Sequence, residues 1–332
     1  MNVQQWQHYI EEKIGFILPK AQLQWLVNAI EQTANAHNLS LAQLWLSIKV
    51  DDKLRQQLLD AVLIPESRFF RHMPSIQFIS ALAVQEQQPA SALLTPPSSA
   101  IKALSKDKYQ PDVAPFRIWS VGCATGQEVW SLAMSLAEQK VAHYHILGTD
   151  VSQQALTKAS LGRYTERECQ TIAPIYQKFM PPVSGTEYPK PSAPSADTDR
   201  ITSAVNGVAL SRSTSEVMIS RHQSQLNAKL RVSMLQPQRQ VVPMLRRQVR
   251  FIWHNIFTKD MPVLPLQNVI ICQNMLIYFR QFDQRDILTR LAAQCELGGY
   301  IVLAPGEALF WRPSNMRRIA HPQVNAWQKI SA

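Results

Sequence analysis

One feature of the sequence constrains the fold most. It is an apolar run followed by a glycine turn and then by an amphipathic helix pattern. The run ends at Val121, the turn reads Gly122-Cys-Ala-Thr-Gly126, and a second apolar strand near residues 144–147 continues to Asp150. A strand, a tight turn and a helix bring backbone N–H groups close to a ligand, and an acid at the tip of the next strand can accept hydrogen bonds from both hydroxyls of a ribose. The unit therefore predicts a Rossmann-like α/β domain with a nucleoside-cofactor site.

Glu128, in the first turn of that helix, narrows the choice of cofactor. A dinucleotide site prefers the pattern G-x-G-x-x-G, so that a pyrophosphate lies on the helix N-terminus. This turn has two glycines, and an acid follows them. An acid there repels a pyrophosphate but pairs with the ammonium of S-adenosylmethionine, which carries no phosphate. Taken singly, Glu128 is also an ordinary first-turn acid on the helix dipole, and Asp150 an ordinary strand-end cap.

Five blocks of sequence, in order along the chain, resemble one family. The blocks are Ile64–Arg71, Asp150–Ser152, Leu161–Tyr164, Val249–Ile256 and Val269–Phe279. They resemble the chemotaxis receptor glutamate methyltransferases, the CheR family, over roughly residues 10–180 and 245–315. The resemblance implies a class I methyltransferase fold with S-adenosylmethionine as cofactor. It also implies O-methylation of glutamate side chains in the cytoplasmic helical region of a chemoreceptor.

The resemblance assigns roles to individual residues. Arg71 is expected to hold either the cofactor carboxylate or the incoming glutamate through its planar fork, and Tyr278 to lie close to the transferred methyl. These two are the expected catalytic residues. The expected cofactor-binding residues are Ser67, Arg71, Gly122, Glu128, Asp150, Asn255, Ile256 and Asn274. Each has an ordinary alternative as a surface arginine, a core tyrosine or a turn residue, but together they fall where α/β sheets bind ligands.

The chain departs from the family pattern at three places. Gln273 stands where the family usually has an arginine, and Pro65 where it has asparagine or threonine. Residues 25–31 contain no arginine, although the family's second helix carries an arginine cluster that recognises the receptor. We therefore expect a receptor of a diverged chemosensory system, such as one controlling type IV pilus motility.

Two alternative functions stay open at this point. One is a methyltransferase for another acceptor, although Asn274 is followed by Met-Leu-Ile-Tyr rather than by the Pro-Pro-Tyr common in enzymes that methylate amino groups of nucleic acids. The other is a catalytically silent regulatory module that binds the cofactor, which the glutamine at position 273 would suit.

Length and composition fit a two-part soluble enzyme. The 332 residues divide into an N-terminal helical domain (1–86), a linker (87–113) and a methyltransferase domain (114–332). No apolar run approaches the ~20 residues that span a bilayer, and the start lacks the features of a secretion signal. We expect a cytoplasmic monomer that meets the membrane only through its receptor. The four cysteines lack metal-type spacing, so no metal site is expected, and Cys123 and Cys272 are expected to be small core residues.

An unusual insertion, about residues 181–247, divides the second domain. Its first part is rich in proline and serine and predicts a disordered arm. Residues 201–250 hold eight Arg or Lys against one acid, a net +7 of the chain's formal +10. No aromatic residue lies between Tyr188 and Phe251, so base stacking and nucleic-acid binding are not expected. In the family a small β-subdomain stands here, and Val241–Phe251 is expected to supply its last strand.

The rest of the second domain reads as alternating strands and helices. Strands are expected at Val249–Trp253, Asn268–Cys272 and Tyr300–Ala304, and a helix at Gln284–Glu296. Gly298 and Gly299 are expected to end that helix, because glycine is the usual residue past a helix C-terminus.

Overall fold

The computed structural model describes residues 2–19, 22–63, 66–87, 114–183, 237–262 and 265–331. Residues 88–113 of the predicted linker and most of the insertion at about 181–247 lie outside these residues. The helices are α1 (Val3–Ile14), α2 (Leu23–Ala36), α3 (Leu41–Val50), α4 (Asp52–Val62), α5 (Met73–Glu86), α6 (Gln127–Glu138), α7 (Gln153–Leu161), α8 (Glu166–Cys169), α9 (Pro174–Gln177), α10 (Pro243–Arg246) and α11 (Gln281–Ala293). The strands are β1 (Phe116–Val121), β2 (Tyr144–Asp150), β3 (Arg163–Thr165), β4 (Gln238–Gln240), β5 (Val249–Trp253), β6 (Gln267–Cys272), β7 (Cys295–Leu303), β8 (Met316–Arg318) and β9 (Asn325–Lys329).

Helices α1 to α4 pack around a core of their own. Ile10, Leu26, Ile48 and Leu58 are almost fully buried and belong to one apolar cluster. The first helix ends at Gly15, whose φ of 71° is the left-handed conformation that glycine adopts without strain. A Cβ on Gly15 would lie 2.3 Å from the ring of Phe257. Glycine therefore both ends the helix and lets the helical region meet the second domain closely.

The fifth helix, α5, packs with the sheet rather than with the first four helices. Its buried residues Ile76 and Ile79 share a cluster with Ile118 of β1 and Trp130 of α6. A buried hydrogen bond also runs from the hydroxyl of Ser80 to that of Ser135 on α6, at 2.8 Å. The core of the helical region is thus formed by residues before position 63, although helices continue to residue 86.

A seven-stranded sheet forms the centre of the second domain, in the order β5-β2-β1-β6-β7-β9-β8. Neighbours from β5 to β7 are parallel, and β9 is antiparallel to both β7 and β8. The expected α/β fold is confirmed. The chain moves outward from β1 to β5 on one side and then from β6 on the other, so the strand order reverses between β1 and β6. Ligands bind at such a reversal, beyond the carboxyl ends of the strands.

Two details of the predicted alternation are wrong. The helix after β6 covers Gln281–Ala293 rather than Gln284–Glu296, and Gly298 and Gly299 lie inside β7 instead of ending the helix. A Cβ on Gly299 would lie 2.8 Å from the carbonyl oxygen of Asn268 on the neighbouring strand. This glycine is used for a close approach of two strands, which a local sequence pattern cannot distinguish from a helix end.

The small β-subdomain exists, but the expected last strand is wrong. Strand β3 pairs antiparallel with β4, Gln238–Gln240, and Pro182 forms a bridge to Arg239 on the other side of β4. The expected segment Val241–Phe251 instead begins with the short helix α10 at Pro243 and then enters β5 of the main sheet. Proline suits the first turn of a helix, where no N–H partner is needed, and so ends the pairing.

No helix among the described residues is both long and apolar enough to cross a membrane. The four cysteines are free thiols and all are buried, which confirms the expected core positions of Cys123 and Cys272.

Candidate active site

The glycine turn after β1 is held against the end of β2. The N–H groups of Gly122 and Cys123 both donate to the carbonyl oxygen of Thr149, at 2.8 and 3.0 Å. Gly122 has a φ of 68°, and a Cβ there would lie 2.7 Å from the sulfur of Met275. Gly126 has a φ of 88° and precedes the first residue of α6. Both glycines are therefore required by conformation, and the turn keeps its backbone open to a ligand.

Asp150 ends β2 and is already bonded to the backbone on both sides. Its Oδ2 accepts the N–H of Ala124 at 2.8 Å, and its Oδ1 accepts the N–H of Ser152 at 2.8 Å. Burial raises the pKa of this carboxyl, while these N–H donors act in the opposite direction. A carboxylate oxygen has room for a second donor, so both oxygens can still receive ribose hydroxyls.

Glu128 is a carboxyl whose charge is costly without a ligand. Burial raises its pKa to about 7, although the hydroxyl of Ser120 donates to Oε1 at 2.7 Å and the charge of Arg71 also favours the anion. The nearby Glu307 carboxyl raises the pKa further. A cationic ammonium beside Glu128 would replace the missing solvation.

The loop after β6 carries Asn274 and Tyr278. Asn274 has a φ of 59°, and its N–H donates to Oε2 of Glu307 at 3.2 Å. The ring of Tyr278 stacks on that of Phe16 with 4.5 Å between centroids, and the N–H of Ile17 donates to the carbonyl oxygen of Tyr278 at 2.8 Å. The helical region therefore helps to hold the loop that carries the tyrosine.

The remaining expected residues differ in how freely they can meet a ligand. The Arg71 side chain is exposed, with one bond to the carbonyl oxygen of Glu66 at 3.3 Å. Asn255 is buried, and its side chain donates to the carbonyl oxygen of Lys13 at 2.8 Å and accepts the N–H of Phe257 at 3.1 Å. Asn255 thus links α1 to the segment after β5, a structural role in addition to the expected contact with the cofactor.

One cavity of about 270 Å³ brings these groups together at the strand-order reversal. Every residue expected at the site lines it: Ser67, Arg71, Gly122, Glu128, Asp150, Asn255, Ile256, Asn274 and Tyr278. Their individual roles stay predictions. A strand-end acid, a first-turn acid and two left-handed glycines suit a cofactor with a ribose and an ammonium, so the residues present fit S-adenosylmethionine.

Two groups near the cavity were not singled out from the sequence. Glu307 is 8% exposed, and its Oε2 accepts the N–H groups of Asn274 and Ala304. It is an acid shortly after the end of a strand, a signal similar to the strand-end position that singled out Asp150. His72, the residue after Arg71 in the sequence, also lines the cavity. A single histidine before a helix gives no comparable signal, because it is also a common capping residue.

The fold and the cavity define the chain as an S-adenosylmethionine-dependent methyltransferase of the α/β class. The chain matches the family model described as CheR methyltransferase, SAM binding domain, over residues 97–189 and 196–324. It belongs to this family, and its cofactor is S-adenosylmethionine.

Individual relatives are distant. The chain is 28% identical to the probable biofilm formation methyltransferase WspC of Pseudomonas putida over 168 residues, which cover 49% of this chain and 35% of that protein. It is 26% identical to chemotaxis protein methyltransferase 1 of Pseudomonas aeruginosa, over 80% of this chain and 74% of the relative. It is 20% identical to chemotaxis protein methyltransferase Cher2 of Pseudomonas putida, over 96% and 94%.

Proposed function

We propose that this protein transfers a methyl group from S-adenosylmethionine to glutamate side chains of a chemoreceptor, giving glutamate 5-methyl esters. The observation that carries the proposal is the exposed guanidinium of Arg71 and the side chain of Tyr278 at the same cavity as the cofactor residues. Relatives named as chemotaxis protein methyltransferases support the choice of acceptor. The partner in this proposal is the cytoplasmic helical region of the receptor, and the enzyme is a cytoplasmic monomer.

The cofactor residues divide the work of binding. Asp150 receives the ribose hydroxyls, Glu128 pairs with the ammonium, and Gly122 leaves room for a close approach to the backbone. When bound, S-adenosylmethionine supplies an electrophilic methyl group on its sulfonium. The protein's own task is then to place a nucleophile in line with that methyl and to exclude water.

The acceptor in this proposal needs orientation rather than a base. An unperturbed glutamate has a pKa of about 4.3, so it is already an anion at neutral pH. Glu128 and Glu307 make the surroundings unfavourable for a further carboxylate, and a guanidinium is needed to hold it. Arg71 and Arg68 are the arginines that line the described cavity, and both are exposed. We assign Arg71 to the acceptor or cofactor carboxylate, because a planar fork fixes two oxygens at once.

The receptor proposed here belongs to a diverged chemosensory system, with the type IV pilus system as the narrower choice. Helix α2 presents Trp25, which is 46% exposed, within residues 25–31, a stretch that contains no arginine. A receptor surface that fits this helix must differ from one that fits an arginine cluster.

The decisive experiment follows the chemistry of the product. Labelled cofactor and a receptor signalling fragment should give label that mild alkali releases as volatile methanol, because esters hydrolyse whereas N-methyl and S-methyl products do not. Arg71→Lys should reduce the yield well below that of the wild type, since a point charge cannot replace the fork. Changing the acceptor Glu to Asp should cost about 10²-fold, because one missing methylene moves the nucleophile by more than ~1 Å.

Two outcomes would redirect the proposal. Base-stable label would mean another acceptor chemistry on the same fold. Cofactor binding with no transfer to any receptor fragment would mean a regulatory module.

A further inference from the structure

His72 is held in one tautomer by the start of helix α5. Its Nδ1 accepts the backbone N–H of Ser75 at 3.3 Å and lies 2.7 Å from the hydroxyl oxygen of Ser75. A ring nitrogen that accepts a backbone N–H carries no proton. The neutral ring therefore has its proton on Nε2.

Gln273 fixes the direction of this hydrogen-bond chain. Its Nε2 donates to the hydroxyl oxygen of Ser75 at 2.9 Å and to the carbonyl oxygen of Leu303 at 3.1 Å. A carbonyl oxygen only accepts, so the amide nitrogen must face it, and both of its N–H groups are used. Ser75 is completely buried and receives one of them. Its own proton is then directed to Nδ1 of His72.

The other edge of the ring remains available to a ligand. Among the described residues, the Nε2 of His72 has no hydrogen-bond partner, and His72 lines the same cavity as Arg71. Burial lowers the pKa of His72, which favours the neutral form of the ring. The ring of His72 and the exposed guanidinium of Arg71 thus line the same cavity.

We propose that Arg71 and the Nε2–H of His72 together form a carboxylate-binding site, with Ser75 and Gln273 as positioning residues behind it. Gln273 stands where the family usually has an arginine, and here it acts through Ser75 and His72 rather than through a charge. The carboxylate has two sources, the methionine part of the cofactor or the acceptor side chain. The second source rests on the proposed function.

The main test is His72→Asn. Asparagine is a favoured residue before a helix, and its Oδ1 can replace Nδ1 as acceptor for Ser75, but no atom of asparagine reaches the position of Nε2. The melting temperature should stay at the wild-type value. A lost hydrogen bond to a charged group should weaken binding by roughly 10- to 100-fold. His72→Gln is the matched control, because its amide nitrogen can reach the position of Nε2, and it should recover most of the loss.

Two measurements distinguish whether the bound carboxylate belongs to the cofactor or to the acceptor side chain. Calorimetry with S-adenosylhomocysteine shows the loss if the carboxylate belongs to the cofactor. A raised KM for the receptor fragment at saturating cofactor, with unchanged affinity for S-adenosylhomocysteine, shows that it belongs to the acceptor. If the wild type transfers no methyl to the fragment, the proposed function fails, whereas the calorimetric result still tests the site.

A third measurement tests the tautomer independently of activity. Nitrogen-15 NMR of the full-length protein should show the His72 proton on Nε2, because Nδ1 accepts the backbone N–H of residue 75. A proton on Nδ1 in the wild type would overturn the inference. So would His72→Asn that leaves both the affinity for S-adenosylhomocysteine and the KM for the acceptor unchanged.

Discussion

Cofactor affinity should depend on pH through Glu128. Burial raises the pKa of this carboxyl to about 7, yet pairing with an ammonium requires the anion. Binding must therefore release a proton wherever the pH is below that value, and affinity should fall by about tenfold for each further pH unit. From pH 7.5 to pH 5.5, the fraction of ionised Glu128 falls about 25-fold, and the affinity for S-adenosylhomocysteine should fall by the same factor.

The stability of the ligand-free protein should change with pH in the opposite direction to the cofactor affinity. A carboxyl whose pKa is raised in the folded state contributes stability at low pH and loses it as pH rises through the folded pKa. For Glu128 this window runs from its ordinary value of 4.5 to about 7. As pH rises through this interval, ionisation of Glu128 should therefore lower the stability of the ligand-free protein and raise its affinity for the cofactor.

Calorimetry across this interval, with Glu128→Gln as control, measures the effect. Glutamine keeps the size of the side chain and can still accept the hydroxyl proton of Ser120, but it does not titrate. The variant should show a nearly flat affinity profile. A wild-type profile without slope, or an equal slope in Glu128→Gln, would refute the assignment of Glu128 to the ammonium and point to another titrating group such as Asp150.

Three further predictions concern the same cavity and its surroundings. Asp150→Ala should weaken S-adenosylhomocysteine binding by about 2 kcal/mol in calorimetry, because charge-assisted hydrogen bonds to the ribose are lost; an unchanged Kd would remove Asp150 from the site. Gly122→Ala should lower the free energy of unfolding by about 1–3 kcal/mol in denaturant titration, since its φ of 68° is strained for alanine and its Cβ would meet Met275. Gly298→Ala, with a φ of 82° and open space around it, is the matched control for strain without the clash. Replacing residues 184–236 by a short Gly-Ser linker should leave the Kd unchanged, because Val183 and Gln238 are joined by a 2.9 Å hydrogen bond; loss of folding would show that the segment is structural.

The parts of the fold that follow from local patterns could be predicted from the sequence. The β1–turn–α6 unit and the acid after β2 combine periodicity, glycine spacing and strand ends within a short stretch of chain. Gly299 is a residue whose role such local patterns cannot predict. Its role depends on the carbonyl oxygen of Asn268, which lies on another strand. A nearby helix end gives the same local signal, so only the tertiary structure separates the two.

The candidate site was predictable for residues that line the cavity and less so for those that support them. The sequence predicts a cofactor contact for Asn255, yet both polar ends of its side chain bond to the protein. The sequence shows Gln273 only as a departure from the family's arginine, whereas in the structure its amide bonds to Ser75 and Leu303. Gln273 and its partner Ser75 are 198 positions apart in the chain. No spacing rule connects them, because the sheet and α5 bring them together only after folding.

The ring of Phe16 stacks on that of Tyr278, so both the helical region and the second domain contribute to the cavity. The ends of the sheet strands line one part of the cavity, and Phe16 in the segment after α1 lines the side at which Tyr278 lies. A fragment that begins after α4 would keep the glycine turn and Asp150 but would lose the surface that orients the tyrosine. The helical region and the loop after β6 are therefore mechanically linked, and a partner that displaces α1 would alter the geometry around Tyr278 without touching it.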